Sequence, residues 1–337
     1  MTQQEKITRL FEAFNQQKIL VIGDVMIDAY LWGNVDRISP EAPVPIVSLK
    51  KRENRLGGAA NVALNIQSMG AVPVLCSVTG NDEKSRTFHE LMQQQGLETA
   101  GLISSDQRIT TTKFRIIGNN AQMLRVDEET EKQLEPVETQ LLFERIAMLV
   151  AEHTIGAIIF EDYDKGVINA ELIDQVVKLA KEKSIPVVVD PKKKNFMNYR
   201  GVTLFKPNLK ELREGLKLDD ELTEIDNIMD AVKRLQELMD VDIALATLSE
   251  KGVCYSSKED DGSYKTGLVP AHVRDIADVS GAGDTVISII ALCMATGTSP
   301  DDMARLSNLA GGLVCEYVGV VPIQKERLLQ EALKTFQ

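Results

Sequence analysis

Residues 155–190 read IGAIIFEDYDKGVINAELIDQVVKLAKEKSIPVVVD. An apolar, β-branched run (IGAIIF, 155–160) is followed by a helical pattern (AELIDQVVKLAKEK, 170–183) and a second apolar run (IPVVVD, 185–190). Near-continuous apolar strands that alternate with helices predict a mainly parallel sheet covered on both faces. The same alternation extends outward in both directions. Strands are expected at KILVIG (18–23), VPVLCSV (72–78), VTLFKP (202–207) and DIALATL (242–248). Helices are expected over AANVALNIQSM, EKSRTFHELMQQQ and LTEIDNIMDAVKRLQELM. The fold class is therefore α/β, and ligands in such sheets bind beyond the carboxyl ends of the strands.

Two segments break this alternation. Residues 29–50, AYLWGNVDRISPEAPVPIVSLK, carry Pro40, Pro43 and Pro45 and read as extended, edge-type backbone. Residues 110–126, TTTKFRIIGNNAQMLRV, read as a hairpin turning at Gly118-Asn119-Asn120. Neither fits a strand–helix–strand unit, so both are expected to form a small excursion that closes over the site, pairs with a second subunit, or does both. The acidic stretch 127–138, DEETEKQLEPVE, reads as the solvated start of a helix. No repeat or low-complexity linker divides the chain, and one domain over 1–337 is expected.

Composition narrows the function. Hydrophobic residues make up 44% and charged residues 26%, as in an ordinary globular protein, and 337 residues suffice for a large buried core. A net charge of −12 argues against a nucleic-acid or anionic-membrane surface, which needs clustered Lys and Arg. The four cysteines are scattered in apolar contexts and read as buried thiols. None of the three histidines has metal-ligand spacing. The N-terminal MTQQEKITRLFEAFNQQK is a polar amphipathic helix without a signal peptide's apolar stretch, and the longest apolar run, 286–295, is about half of what a bilayer needs. A cytoplasmic, reducing location is expected.

The chemistry gathers in DVSGAGDT, residues 278–285. Gly281 and Gly283 leave the backbone bare at the opening of an apolar helix, and exposed N–H groups at the positive end of a helix suit an anion. Asp284 lies in the first turn, where a carboxylate either caps the helix or takes the proton of an attacking hydroxyl. No G-x-x-x-x-G-K-[ST], H-R-D or D-F-G occurs, and the glycines lack the third member and the early placement of a dinucleotide fingerprint. In GGAANVALN (57–65), Gly57-Gly58 leads into a helix with Asn61 one turn inside it, facing the same mouth or merely capping. Asp24 and Asp28 follow the first strand and either bind a polyol's hydroxyls or shape a turn. In KPNLKEL (206–212), Asn208 and Glu211 are three apart in a first helical turn, so both can face one magnesium ion or its waters.

In this order, GGAANVALN, PNLKE and DVSGAGDTV resemble the N-terminal signature, the N-x-x-E motif and the D-x-x-G-A-G-D signature of the PfkB (ribokinase-like) carbohydrate kinase family. The resemblance covers essentially the whole chain. It implies a three-layer α/β/α sandwich with a small β lid built from the two excursions, through which members often dimerise. Within the family, GDVMIDAYLWG, RISPEAPVPIV, NNAQMLRVDEE, DYDKG and DPKKKNF are most similar to the branch that phosphorylates D-glycero-β-D-manno-heptose 7-phosphate on carbon 1, on the route to ADP-heptose for lipopolysaccharide. Many relatives continue into a nucleotidyltransferase domain with an H-x-G-H motif. These 337 residues hold no such motif, so the nucleotidyl step is expected from a separate protein.

The resemblance implies that Asp284 is the base and that the N–H groups of Gly281, Ala282 and Gly283 stabilise the phosphoryl group in transfer from ATP. It implies sugar contacts at Asp28, Gly57, Gly58 and Asn61, and a nucleotide with its Mg2+ near Asn208, Glu211, Thr247, Gly252 and Asn308. Asp278 resembles a member of a monovalent-cation site, a place for K+. For the substrate's own phosphate the candidates are Arg37, Arg125, Lys165 and Lys192, although most surface Lys and Arg bind nothing. Three departures stand out: Ser280 where Thr is usual, Leu56 where Pro is common, and Leu248 where Arg is common. Another sugar or nucleoside kinase of the family, and an inactive sugar sensor, are the alternatives. The intact GAGD and N-x-x-E count against the sensor.

Overall fold

The computed structural model describes residues 2–119, 121–219, 222–259, 261–272 and 274–336. In chain order the elements are α1 (Gln3–Phe14), β1 (Lys18–Gly23), β2 (Val25–Ile38), β3 (Pro45–Gly58), α2 (Ala59–Ser68), β4 (Val72–Gly80), α3 (Glu83–Gln94), β5 (Leu102–Ser105), β6 (Thr112–Gly118), β7 (Ala121–Glu128) and α4 (Pro136–Glu152). They continue with β8 (Ala157–Glu161), α5 (Ala170–Glu182), β9 (Val187–Asp190), β10 (Leu204–Phe205), α6 (Leu209–Gly215), α7 (Ile225–Met239), β11 (Ile243–Thr247), β12 (Val253–Lys258), β13 (Tyr264–Val269), α8 (Ala282–Ala295), α9 (Pro300–Val314) and α10 (Lys325–Thr335).

Nine strands form one sheet in the order β13-β12-β11-β10-β9-β8-β1-β4-β5. From β5 to β11 every neighbour pairs in parallel, and β12 and β13 add an antiparallel edge. The continuous apolar runs follow from burial on both faces. Ile19 and Val21 of β1 join one core with residues of α2, α8 and α9, while Leu20 and Ile22 join a second core with residues of α4, α5 and α7. The expected α/β/α layering is therefore present. The carboxyl ends of β1, β8, β9, β10 and β11 open on one side, delivering Asp24, Glu161, Asp190, Lys206 and Thr247 to one rim.

The two excursions form a separate four-stranded sheet, β3-β2-β6-β7. Its strands are longer than expected: β2 and β3 are 14 residues each, so Gly57-Gly58 is the end of β3. Pro40 and Pro43 fall in the connection and Pro45 opens β3, positions that need no ladder donor. At the expected hairpin turn, Asn119 has φ 51°, and Asn120 lies outside the described residues. The acidic stretch 127–138 departs from expectation. Its first two residues finish β7, and α4 starts only at Pro136, whose fixed φ suits a first helical position. β10 is also far shorter than VTLFKP, with two residues in the ladder.

Register divides this small sheet into two unlike faces. Asp28 lies opposite Arg55 and Lys113, Lys113 opposite Asp127, and Arg115 opposite Tyr30 and Arg125. One residue along, Leu31, Ile116 and Leu124 stand in register, as do Ala29, Phe114 and Val126. Because side chains alternate across a strand, charge lines one face and apolar groups the other.

Candidate active site

Asp284 sits at 6% exposure in the first turn of α8, where Gly281 caps the helix at φ 81°. Its carboxylate accepts from Asn61 Nδ2 at 2.6 Å and from the Tyr163 hydroxyl at 2.8 Å. Two more ties bind α2 to α8 in this neighbourhood: the Thr285 hydroxyl donates to Asn65 Oδ1, and that of Ser288 to the Val62 carbonyl. The carboxylate is thus held on a fixed helix pair. Burial raises its pKa above the usual carboxylate value, and the hydrogen bonds from Asn61 and Tyr163 oppose that rise. In the adjoining loop, Ala282 N–H closes a turn on the Val279 carbonyl at 3.3 Å. The N–H groups of Gly281 and Gly283 have no partner among the described residues, so the anion hole narrows to those two.

Asp28, Gly57, Gly58 and Asn61 lie side by side. A Cβ on Gly57 would collide with the Asp28 carboxylate, and Gly58, at φ 60°, would collide with the Asp24 carbonyl. Both glycines are therefore required by close approach. Asp28 is buried and ion-paired to Arg115 of β6. Asn61 Oδ1 is buried without a hydrogen-bond partner, an acceptor aimed at the space beside Asp284. Asp24 turns away: its carboxylate accepts from the backbone N–H groups of Tyr163, Lys165 and Val167 and fastens the loop after β8. Of the two acids after the first strand, only Asp28 faces the site.

Behind Gly283 lies a buried charge cluster. Lys206 Nζ is 2.8 Å from Asp190, and Lys192 reaches Asp190 at 3.6 Å and Glu211 at 2.9 Å. Burial opposes the ionisation of Asp190, but the two lysines outweigh it and hold its carboxyl below the usual range. Glu161 is fully enclosed, with neither carboxylate oxygen hydrogen-bonded. Burial first, then the negative charges of Asp190 and Asp284, push its pKa well above normal.

On the nucleotide side, Asn208 and Glu211 form a capping box on α6. Asn208 Oδ1 accepts from Glu211 N–H and Glu211 Oε2 from Asn208 N–H, both at 2.9 Å. Thr247 bridges to Asn208 across the strand ends. Gly252, at φ 93°, passes close under the Val269 carbonyl, and Asn308 donates to the Pro270 carbonyl at 2.9 Å, which fixes the exit of β13. Asp278 accepts from Ser280 N–H and hydroxyl and from Gly319 N–H. Burial works against its ionisation, yet these bonds hold its pKa below normal. Ser280 thus makes the hydrogen bond that a threonine hydroxyl would make, and Leu248 is buried in the second core.

The four phosphate candidates scatter. Lys165 and Lys192 border the site but are paired, Lys165 with Glu129 at 2.7 Å. Arg125 is paired with Asp127, and Arg37 is exposed near the far end of β2. Sequence reasoning missed Tyr163, Glu161, Asp190, Lys206, Arg115 and Lys113. The one available signal was position, since Glu161, Asp190 and Lys206 close or directly follow strands whose carboxyl ends form the rim.

Solved structures with this fold include phosphofructokinase-2 from Escherichia coli in complex with potassium (TM-score 0.77, 17% identity, 95% of this chain and 99% of that one). Another is Arabidopsis thaliana ribokinase complexed with ribose and ATP (TM-score 0.70, 17% identity, 94% and 99%). Among curated proteins, the chain is 38% identical to D-beta-D-heptose 7-phosphate kinase of Bordetella bronchiseptica, covering 95% of this chain and 98% of that protein. It is equally 38% identical to the bifunctional protein HldE of Magnetococcus marinus, of which it spans 64% of the length. The sequence profile of the pfkB family carbohydrate kinases matches residues 16–326, a span that takes in both sheets and every candidate site residue, and the chain belongs to that family.

Proposed function

We propose that the protein transfers the γ-phosphoryl group of ATP to the anomeric hydroxyl of D-glycero-β-D-manno-heptose 7-phosphate, giving the 1,7-bisphosphate. The observation that carries the reading is the buried Asp284 beside two unengaged backbone N–H groups, with Asn61 Oδ1 left unpartnered next to it. The similarity to the Bordetella bronchiseptica kinase along nearly its full length supports the choice of sugar.

In this reading Asp284 accepts the proton of the attacking hydroxyl, and a raised pKa makes it a better base than an ordinary carboxylate. Asn61 Oδ1 receives a sugar hydroxyl and Asp28 a second one. Gly281 and Gly283 N–H groups meet the charge of the phosphoryl group in flight. ATP lies along Thr247, Gly252 and Asn308. Among the described residues no three His, Cys, Asp or Glu gather into a metal cage, which suits Mg2+ held largely by phosphates and waters. Asn208 and Glu211 would hold that ion through waters, since both Glu211 oxygens already accept hydrogen bonds. Bound there, Mg2+ would neutralise phosphate charge. K+ is proposed beside Asp278, as phosphofructokinase-2 has been solved with that ion. A cytoplasmic location follows from ATP use and from four buried free thiols; among the described residues no helix is long and apolar enough to cross a membrane.

The test is ATP turnover by purified protein against heptose 7-phosphate, ribose, fructose, fructose 6-phosphate and adenosine. Turnover confined to the heptose, with new phosphate on carbon 1, is the expected result. Turnover on another sugar would keep the base and discard the heptose. No turnover on any sugar that binds would favour the sensor.

A further inference from the structure

Lys113 of β6 stands on the charged face of the small sheet, opposite Asp28 on one side and Asp127 on the other. Its ammonium lies 5.6 Å from the centre of the Tyr163 ring, whose hydroxyl holds the Asp284 carboxylate. Each acid near it is already committed: Asp28 to Arg115, Asp127 to Arg125, Glu129 to Lys165. Lys113 itself makes no ion pair or hydrogen bond among the described residues, although it is largely enclosed. Burial lowers its pKa, and Glu129 and Asp127 only partly oppose this. An enclosed ammonium without a partner is costly to keep charged. This one lies a single tyrosine's breadth from the base, about the separation between the two ends of a short sugar phosphate.

We infer that Lys113 holds the phosphate that the acceptor sugar already carries, and so makes the site select a phosphorylated sugar. The inference rests on the sugar-kinase reading above. None of the four cations singled out from the sequence stands in this position, because Lys165, Lys192 and Arg125 have carboxylate partners and Arg37 lies out along β2. A lysine suits the task, since it meets phosphate as a compact point charge and needs no fixed fork geometry.

Lys113→Met tests it. With heptose 7-phosphate the KM is expected to rise at least thirtyfold while kcat stays within about threefold; Lys113→Arg should recover most of the loss. With the heptose lacking its phosphate, wild type and Lys113→Met should perform alike. An unchanged KM for the phosphorylated sugar in an active enzyme overturns the inference. Melting adds an independent reading: removing an unpaired enclosed charge should leave Tm equal or higher. A fall of several degrees would mean that Lys113 pairs with Glu129 and would overturn it too. If wild type phosphorylates no sugar, the kinase reading fails by itself. Calorimetric titration with inorganic phosphate then decides the subsite, which stands if Lys113→Met abolishes binding and falls if both proteins bind alike.

Discussion

At the scale of single residues the site is defined by what holds Asp284. Replacing it with Asn keeps shape and removes the base, so kcat is expected to fall at least a hundredfold with Tm near wild type, read by steady-state turnover and thermal melting. Near-normal turnover would dismiss Asp284 as the base. Tyr163 tests the tuning. Its hydroxyl donates to the ionised carboxylate and so favours the charged form. In Tyr163→Phe the pKa of Asp284 should climb further, and the acid limb of the kcat/KM profile should move to higher pH. A limb that stays put or moves lower would show that the hydroxyl does not act on the base. Asp284 and Asn61 were legible in the sequence because local pattern marks them: glycines and polar residues at the openings of two helices. Tyr163, Lys113 and Arg115 were not. They are distant from residue 284 in sequence, and only the neighbouring of β8 with β1 and the folding over of β6 bring them together.

At the scale of elements, α6 shows one pair of residues in two roles. The capping box satisfies N–H groups at the start of the helix, and losing such a cap typically costs about 1 kcal/mol. Glu211→Gln keeps an acceptor for the Asn208 N–H and removes the negative charge. Tm should therefore change little, while the KM for MgATP should rise about tenfold. Glu211→Ala should lose both. Equal losses of stability in the two variants, with no change in the KM for MgATP, would reduce Glu211 to a cap. Elements were read from sequence where burial imposes a period: β1, α2, α3 and α5 match their expected spans within a residue or two. They were misread where tertiary contacts decide. β10 keeps two ladder residues because the chain then bends to present Lys206 and Asn208, and the acids after β7 belong partly to a strand that only its partner β6 makes regular.

At the scale of the whole molecule, the proline-rich and hairpin segments were recognised as an excursion, but their pattern alone did not reveal a sheet with two unlike faces. The parallel pairing of β2 with β6 supplies that, and it leaves an open question of cover. The face turned from the site carries Leu124 at 54% exposure and Val126 at 46%, with Leu31 and Ile116 half-buried beside them. A contiguous apolar surface of this kind on a sheet with no helix over it marks an interaction face. A second copy would cover both faces at once and keep the charged sides over their own sites, which is why we propose a homodimer joined through this sheet. Sedimentation at micromolar concentration should show a dimer for wild type and a monomer for Leu124→Asp. Because β6 and β7 carry Arg115 and Lys113 towards the sugar, the monomer should also bind its sugar more weakly, with a higher KM and a smaller effect on kcat. A wild type that sediments as a monomer at all concentrations would remove the dimer and leave the exposed leucine and valine to some other partner.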